Sequence, residues 1–244
     1  MKYTLNKYIN KIKSLPIKDK YTKEEILTQD FIIDKDNTLE IYYTPHNEYI
    51  NPNAKIFIVG ITPGFQQMST AIDTARKGIE DGKSIEEIKY ECKVAGRFSG
   101  SLRKNIISML DELNLNKFLN INSCEKLFKE KDYLLHTTSL IPYAVFSKGN
   151  NYTGHSPKLI KSKFLMEYVY ENFIENIEKL DDVLIIPLGK AVEEVLDDLV
   201  NKNIIEKEQI LSGFPHPSGA NAHRLTQLRE NKENMIKIIE NFIK

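Results

Sequence analysis

AKIFIVGITPGFQQ, residues 54–67, decides how the rest of the chain is read. Its first half is a short apolar run closing on glycine, the pattern of a strand buried on both faces, as strands of a parallel sheet are. Three further runs of this kind follow: DYLLHTTSLIP at 132–142, DVLIIPLG at 182–189 and QILSGFPHP at 209–217. Helical patterns separate them at about 100–113, 157–180, 189–200 and 221–243. Strands alternating with helices require crossover connections. The chain is therefore expected to form a three-layer α/β/α sandwich around a central, mainly parallel four-stranded sheet. A single domain spanning 1–244 is expected. Within it, residues 1–50 supply two short helices (3–15 and 22–30) and a hairpin (31–45), packed on the sandwich as an extension. The polar stretch 74–91 reads as a surface helix or an excursion before the next motif.

The second half of the opening stretch, Gly60-Ile61-Thr62-Pro63-Gly64, poses the functional question. A P-loop needs G-x-x-x-x-G-K-[ST] and a dinucleotide site needs G-x-G-x-x-G; this turn is neither, and Pro63 removes a backbone donor where an anion nest needs one. What it offers is a rigid bend presenting the Ile61 and Thr62 backbone and the Thr62 hydroxyl, followed by Phe65. In open parallel sheets ligands bind beyond the carboxyl ends of the strands. Attention therefore falls on the four terminal turns, at 60–64, 136–142, 187–189 and 214–221. In the last of these, FPHPSGANAHR (214–224), prolines on both sides of His216 fix its backbone at a strand end. Ser218 and Gly219 then form a tight turn able to meet a phosphate, with Arg224 one helical turn onward.

Charge narrows the class. The chain carries 34 Lys/Arg and 34 Asp/Glu, so it is no uniformly basic nucleic-acid binder. Yet segments 49–72, 92–110, 133–166 and 209–229, 98 residues in all, hold 11 Lys/Arg and no carboxylate. If they converge, they create a locally positive face suited to a polyanion; the bland alternative is that buried strands exclude charge. Cys92 and Cys124 show no metal-ligand spacing, so neither a metal nor another cofactor is expected. The sequence has no apolar run of about 18 residues and no secretory h-region. A cytoplasmic protein without membrane association is expected.

Taken together, Gly60-Ile61-Thr62-Pro63-Gly64 and His216-Pro217-Ser218-Gly219, with Asn221 and Arg224, resemble the two signature motifs of the uracil-DNA glycosylase superfamily. AGRFSGSLRKNI (95–106), YLLHTTSLIP (133–142) and LIIPLGKAVEEVL (184–196) are similar to its intervening elements, so the resemblance spans roughly 54–243. It implies an enzyme that cleaves the N-glycosidic bond of a flipped uracil-like, damaged or modified pyrimidine in DNA. DNA is the implied partner, and no obligate protein partner is inferred. His216 would stabilise the anionic departing base and Thr62 would occupy the water-positioning place. Gly60, Ile61, Pro63, Gly64, Phe65, Phe98 and His136 would form the base pocket, with Phe98 stacking on the base. Ser99, Arg103, Ser218, Gly219, Asn221 and Arg224 would meet the DNA.

This sequence departs from the pattern three times, once in having too few cysteines for the cysteine-ligated cluster of the branch that shares the AGRF-S-G type segment. At Thr62 the family usually carries Asp, Asn or Glu, and a threonine is no general base at neutral pH. At His136 it commonly carries an Asn that reads the uracil edge, and an imidazole does not reproduce an amide's adjacent donor and acceptor. His136 also reads as a core histidine on an apolar strand. Two other classes stay open: a catalytically silent DNA-binding member of the same fold, and a nucleoside or small-molecule hydrolase.

Overall fold

The computed structural model describes residues 1–242. In chain order its helices and strands are α1 (Leu5–Lys13), α2 (Lys23–Ile26), β1 (Ile32–Lys35), β2 (Leu39–Tyr42), β3 (Ile56–Gly60), α3 (Phe65–Glu80), α4 (Ile85–Gly96), α5 (Gly100–Glu112), α6 (Leu115–Phe118), β4 (Leu135–Ser139), β5 (Ala144–Ser147), β6 (Asn150–Asn151), α7 (Lys163–Ile177), β7 (Leu184–Pro187), α8 (Lys190–Asn201) and α9 (Arg224–Phe242). Residue 243 of the expected last helix lies outside the described residues.

β3 is the centre of a parallel sheet ordered β4-β3-β7. Side chains alternate along it: Phe57 and Val59 enter one apolar core, Ile56 and Ile58 the other. The first core is built with α1, α3, α4, α7 and α8, the second with α5 and α9. Helices thus cover both faces, which is why β3 is apolar at every position rather than at alternate ones.

The expected fourth parallel strand is corrected to a single bridge, Ile185 to Ile210. Leu211 donates once to the Ile185 carbonyl (2.9 Å), and the chain then leaves the ladder at Gly213, whose φ is +86°. Pro215 and Pro217 have no N–H to extend it. The strand is cut short where the His216 turn begins.

A second, antiparallel sheet, ordered β1-β2-β5-β6, was not legible in the sequence. The hairpin expected at 31–45 is present, but its second strand pairs with β5, Tyr42 opposite Ala144. The first 50 residues also share the larger core: Leu5, Tyr8 and Ile12 lie on one face of α1, and Tyr8 stacks on Tyr43 at 3.8 Å between centroids. The stretch 74–91 is no surface helix. It spans the end of α3 and the start of α4, an antiparallel pair whose Ala71, Ile72, Ala75 and Ile88 are buried. A Cβ on Gly78 would come within 2.8 Å of Ile88, so glycine allows the pair to close.

Candidate active site

Beyond the carboxyl ends of the parallel strands lies a cleft of about 720 Å³. Gly60 of β3, Ser139 of β4 and Gly189 after β7 form its floor, with Phe98, Tyr152 and His216 around it. Each of the four carboxylate-free segments contributes to this lining. Their convergence does not make a simple positive face, because Lys93 and Arg97 are buried and Lys158 pairs with Glu194 at 2.9 Å.

His216 is held from several directions. Pro215 and Pro217 beside it are buried, Asn221 Nδ2 donates to the His216 carbonyl (3.1 Å), and Asn105 Nδ2 donates to that of Pro217 (2.7 Å). Gly189 lies directly beneath, at φ +88° and ψ 172°. The Ser218 N–H donates to His216 Nδ1 (3.2 Å), so Nδ1 is the acceptor and Nε2 carries the proton of the neutral ring. Burial, and secondarily His155, hold its pKa below the usual histidine value. The turn therefore presents a neutral imidazole with a donor at Nε2.

Opposite, the Phe98 ring packs over Gly60: a Cβ built there would lie 3.8 Å from the ring and 3.5 Å from Ser139 Oγ. Arg103 secures this ring from behind. Its Nε donates to the Phe98 carbonyl, its Nη2 to that of Arg97 (3.2 Å), and its guanidinium stands 5.4 Å from the centroid of the Phe128 ring. Internal carbonyls thus engage Nε and Nη2 of this half-buried guanidinium, which braces the Arg97–Phe98 backbone. Ser99 is exposed at the cap of α5, and Gly219 is exposed at the tip of its turn. Arg224 starts α9 and donates to the Asn221 carbonyl (3.4 Å).

The Thr62 hydroxyl is committed. It donates to the Tyr143 carbonyl (2.6 Å) and accepts from the Val145 N–H (3.0 Å), tying the turn to β5. The hydroxyl therefore acts as a tether whose one proton is engaged within the protein, while Thr62 still lines the cleft. Pro63 is buried, and Gly64 and Phe65 begin α3 rather than line the cleft. The Phe65 N–H donates to Asn151 Oδ1 (2.9 Å) and the Gly64 N–H to Gln67 Oε1 (3.2 Å). Two of the N–H donors at this helix start, those of Gly64 and Phe65, are thus capped by the protein.

No family model matches the chain. It is 43% identical over 239 residues to the "Uncharacterized protein YoxB" of Bacillus subtilis (strain 168), covering 98% of this chain and 93% of that protein. The chain belongs to the YoxB family. Among solved structures it aligns with wild-type Pedobacter heparinus SMUG2 at 16% identity and a TM-score of 0.45, covering 99% of this chain and 98% of that one.

In this YoxB family chain, His136 stands apart from the cleft. It pairs with Phe57 in register, whereas the cleft floor is the row Gly60 and Ser139, three residues or about 10 Å further along the strands. Its ring lies 4.9 Å from that of Phe57, Nε2 meets Asn176 Oδ1 at 3.1 Å, and burial, with Lys93, pushes its pKa down to about 3. His136 is thus buried with its ring nitrogen satisfied, and Ser139 is the β4 residue that lines the cleft.

Several cleft residues escaped the sequence. Tyr152 and His155 arrive on the segment after β6, and Gln67, Glu193 and Asn231 arrive on helices. Glu193 is the carboxylate among the described lining residues, and its Oε1 accepts from the Gly213 N–H (3.0 Å). The signal for the β6 segment was present in GNNYTGHSP (149–157), polar and glycine-punctuated, but it lacked a strand signal to anchor it. Among the described residues no cluster of three His, Cys, Asp or Glu is placed to hold a metal, and no helix is long and apolar enough to cross a membrane.

Proposed function

We propose that the cleft hydrolyses an N-glycosidic bond, most consistently that of an extruded pyrimidine in DNA. The observation that carries this reading is the Ser218 N–H bond to His216 Nδ1, which leaves a neutral imidazole with its donor on Nε2 across a cleft from an aromatic ring, Phe98. As C1′–N breaks, the electron pair leaves with the base, and a positioned donor to the base carbonyl stabilises that charge. Such a donor is worth about 10²–10³ in rate. Phe98 supplies stacking of about 1–3 kcal/mol, comparable with the cost of extruding the base. Water adds to the sugar cation and loses its proton to solvent, while the departing base takes one up. Thr62 has no free proton or carboxylate for this step, so leaving-group stabilisation bears the chemistry.

On this reading the Ser218–Gly219 turn, with Asn221 and Arg224 behind it, approaches the DNA backbone, and Ser99 flanks it. The exposed Lys190 and His155 at the cleft add positive or donor groups there.

The engagement of the Thr62 hydroxyl favours one rival, a silent DNA-binding member of the same fold. The two separate in one experiment: duplex and single-stranded oligonucleotides carrying uracil, mismatched thymine, hypoxanthine or modified cytosines are incubated with the protein, and abasic sites are scored. Abasic product on one of them, lost in His216→Ala, is the expected result. Salt-sensitive binding with no product on any substrate would establish the silent form.

A further inference from the structure

At the other end of β4, beside its first residues Leu135, His136 and Thr137, lies a separate cavity of about 270 Å³. Two basic side chains line it, Lys93 in the last turn of α4 and Arg97 just after that helix, only 4% and 6% exposed. Lys93 Nζ donates to two neutral acceptors, Asn47 Oδ1 (3.0 Å) and the Thr137 carbonyl (2.5 Å). An ammonium has a third N–H. Burial and the neighbouring Arg97 push Lys93 down to about 7. Arg97 donates through Nη2 to the Phe128 carbonyl (2.9 Å), while its Nε is buried without a protein acceptor.

One carboxylate faces this pair. Asp132 Oδ2 lies 3.5 Å from Arg97 Nη2 and also accepts from the Tyr90 hydroxyl (2.9 Å). Two buried basic groups against a single shared carboxylate leave unspent donors around a cavity; keeping Lys93 charged there is costly unless an anion completes the site. Tyr49 and Tyr90, edge to face with centroids 5.2 Å apart, stand at the same cavity, and Tyr90 is exposed.

We propose that this cavity binds a small phosphate-type oxyanion, whose oxygens accept from Arg97 Nε and the third N–H of Lys93. The space admits inorganic phosphate with room to spare, so a phosphomonoester enters with its organic part toward Tyr49 and Tyr90. Asp132 opposes a highly charged ligand and so favours an anion of low charge. None of this depends on the activity assigned to the cleft.

The test has two arms. Inorganic phosphate and a nucleoside monophosphate are titrated calorimetrically into the wild-type protein and Lys93→Met, whose side chain keeps the volume without the charge. Binding to the wild type, weakened about tenfold or more in Lys93→Met, is expected, since a charge-assisted hydrogen bond is lost. Tighter binding of the monophosphate identifies a phosphomonoester, and equal affinity identifies free phosphate; both uphold the site. Crystals soaked in tungstate give an independent answer should the variant fail to fold: anomalous density between Lys93 and Arg97 is expected. Density elsewhere or none, or equal affinity in wild type and variant, overturns the proposal.

Discussion

Gly189 and His216 meet so closely that a Cβ on the glycine would stand 2.7 Å from the histidine Cβ and 3.3 Å from its Cα. The backbone of Gly189, at φ +88° and ψ 172°, lies in a region essentially confined to glycine, and its N–H reaches the Phe214 carbonyl at 3.3 Å. The loop after β7 therefore sets the height of the His216 turn. Gly189→Ala should lower stability by about 1–3 kcal/mol from backbone strain alone and displace His216 as well. Thermal unfolding and the base-excision rate, measured together, check this; an unchanged rate would show that the turn is positioned by other contacts.

His216→Ala should reduce single-turnover excision by about 10²–10³ while leaving DNA affinity within a few fold, as removal of one transition-state donor does. Ser218→Pro removes the N–H that keeps Nδ1 an acceptor and should impair the same step with His216 intact. An affinity loss matching the rate loss in His216→Ala would make His216 a binding residue instead.

Thr62→Val leaves the Tyr143 carbonyl and Val145 N–H without their partner, a loss of about 1–3 kcal/mol in stability. Under conditions where the variant is folded, its excision rate should stay within a few fold of wild type. A thousandfold loss at unchanged melting temperature would restore Thr62 to the chemistry.

Arg103 and Lys190 should part in salt titrations. Lys190→Ala should shallow the dependence of DNA binding on salt by about one unit of log–log slope, the effect of one phosphate contact, with no change in melting temperature. Arg103→Met should lower the melting temperature and leave the slope alone, because the guanidinium braces the Arg97 and Phe98 carbonyls. The reverse outcome would return Arg103 to the DNA interface.

Lys93 gives a pH signature. Its folded pKa is lowered to about 7 from 10.5, chiefly by burial and then by Arg97, so above pH 7 the unfolded chain binds a proton that the folded one does not. Stability of the anion-free protein should therefore rise with pH, by about 1.4 kcal/mol per unit between about pH 7 and 9. Beyond that, the buried thiols Cys92 and Cys124, whose pKa values burial raises, oppose the trend. Lys93→Met should flatten the rise in chemical denaturation series; an identical slope in the variant would show that Lys93 is not its source.

Local chemistry in the sequence was sufficient for much of this. Apolar runs at β3, β4 and β7 and the helical patterns between them determined a parallel, helix-covered sheet, and glycine or proline punctuation located the turns where a cleft would form. The His-flanking prolines likewise marked His216 before any neighbour was known. Contacts between distant segments decided the rest. Register along β4 placed Ser139 at the cleft and buried His136 against Phe57. The pairing of β2 with β5 brought the carbonyl and amide that engage Thr62, and the fold of α5 turned Arg103 inward to Phe98. Residue type and periodicity state what a side chain can do and which face of its own element it shares. Where its hydrogen bonds are spent depends on partners here more than 80 residues away for Thr62, and only the packed chain brings those within 3 Å.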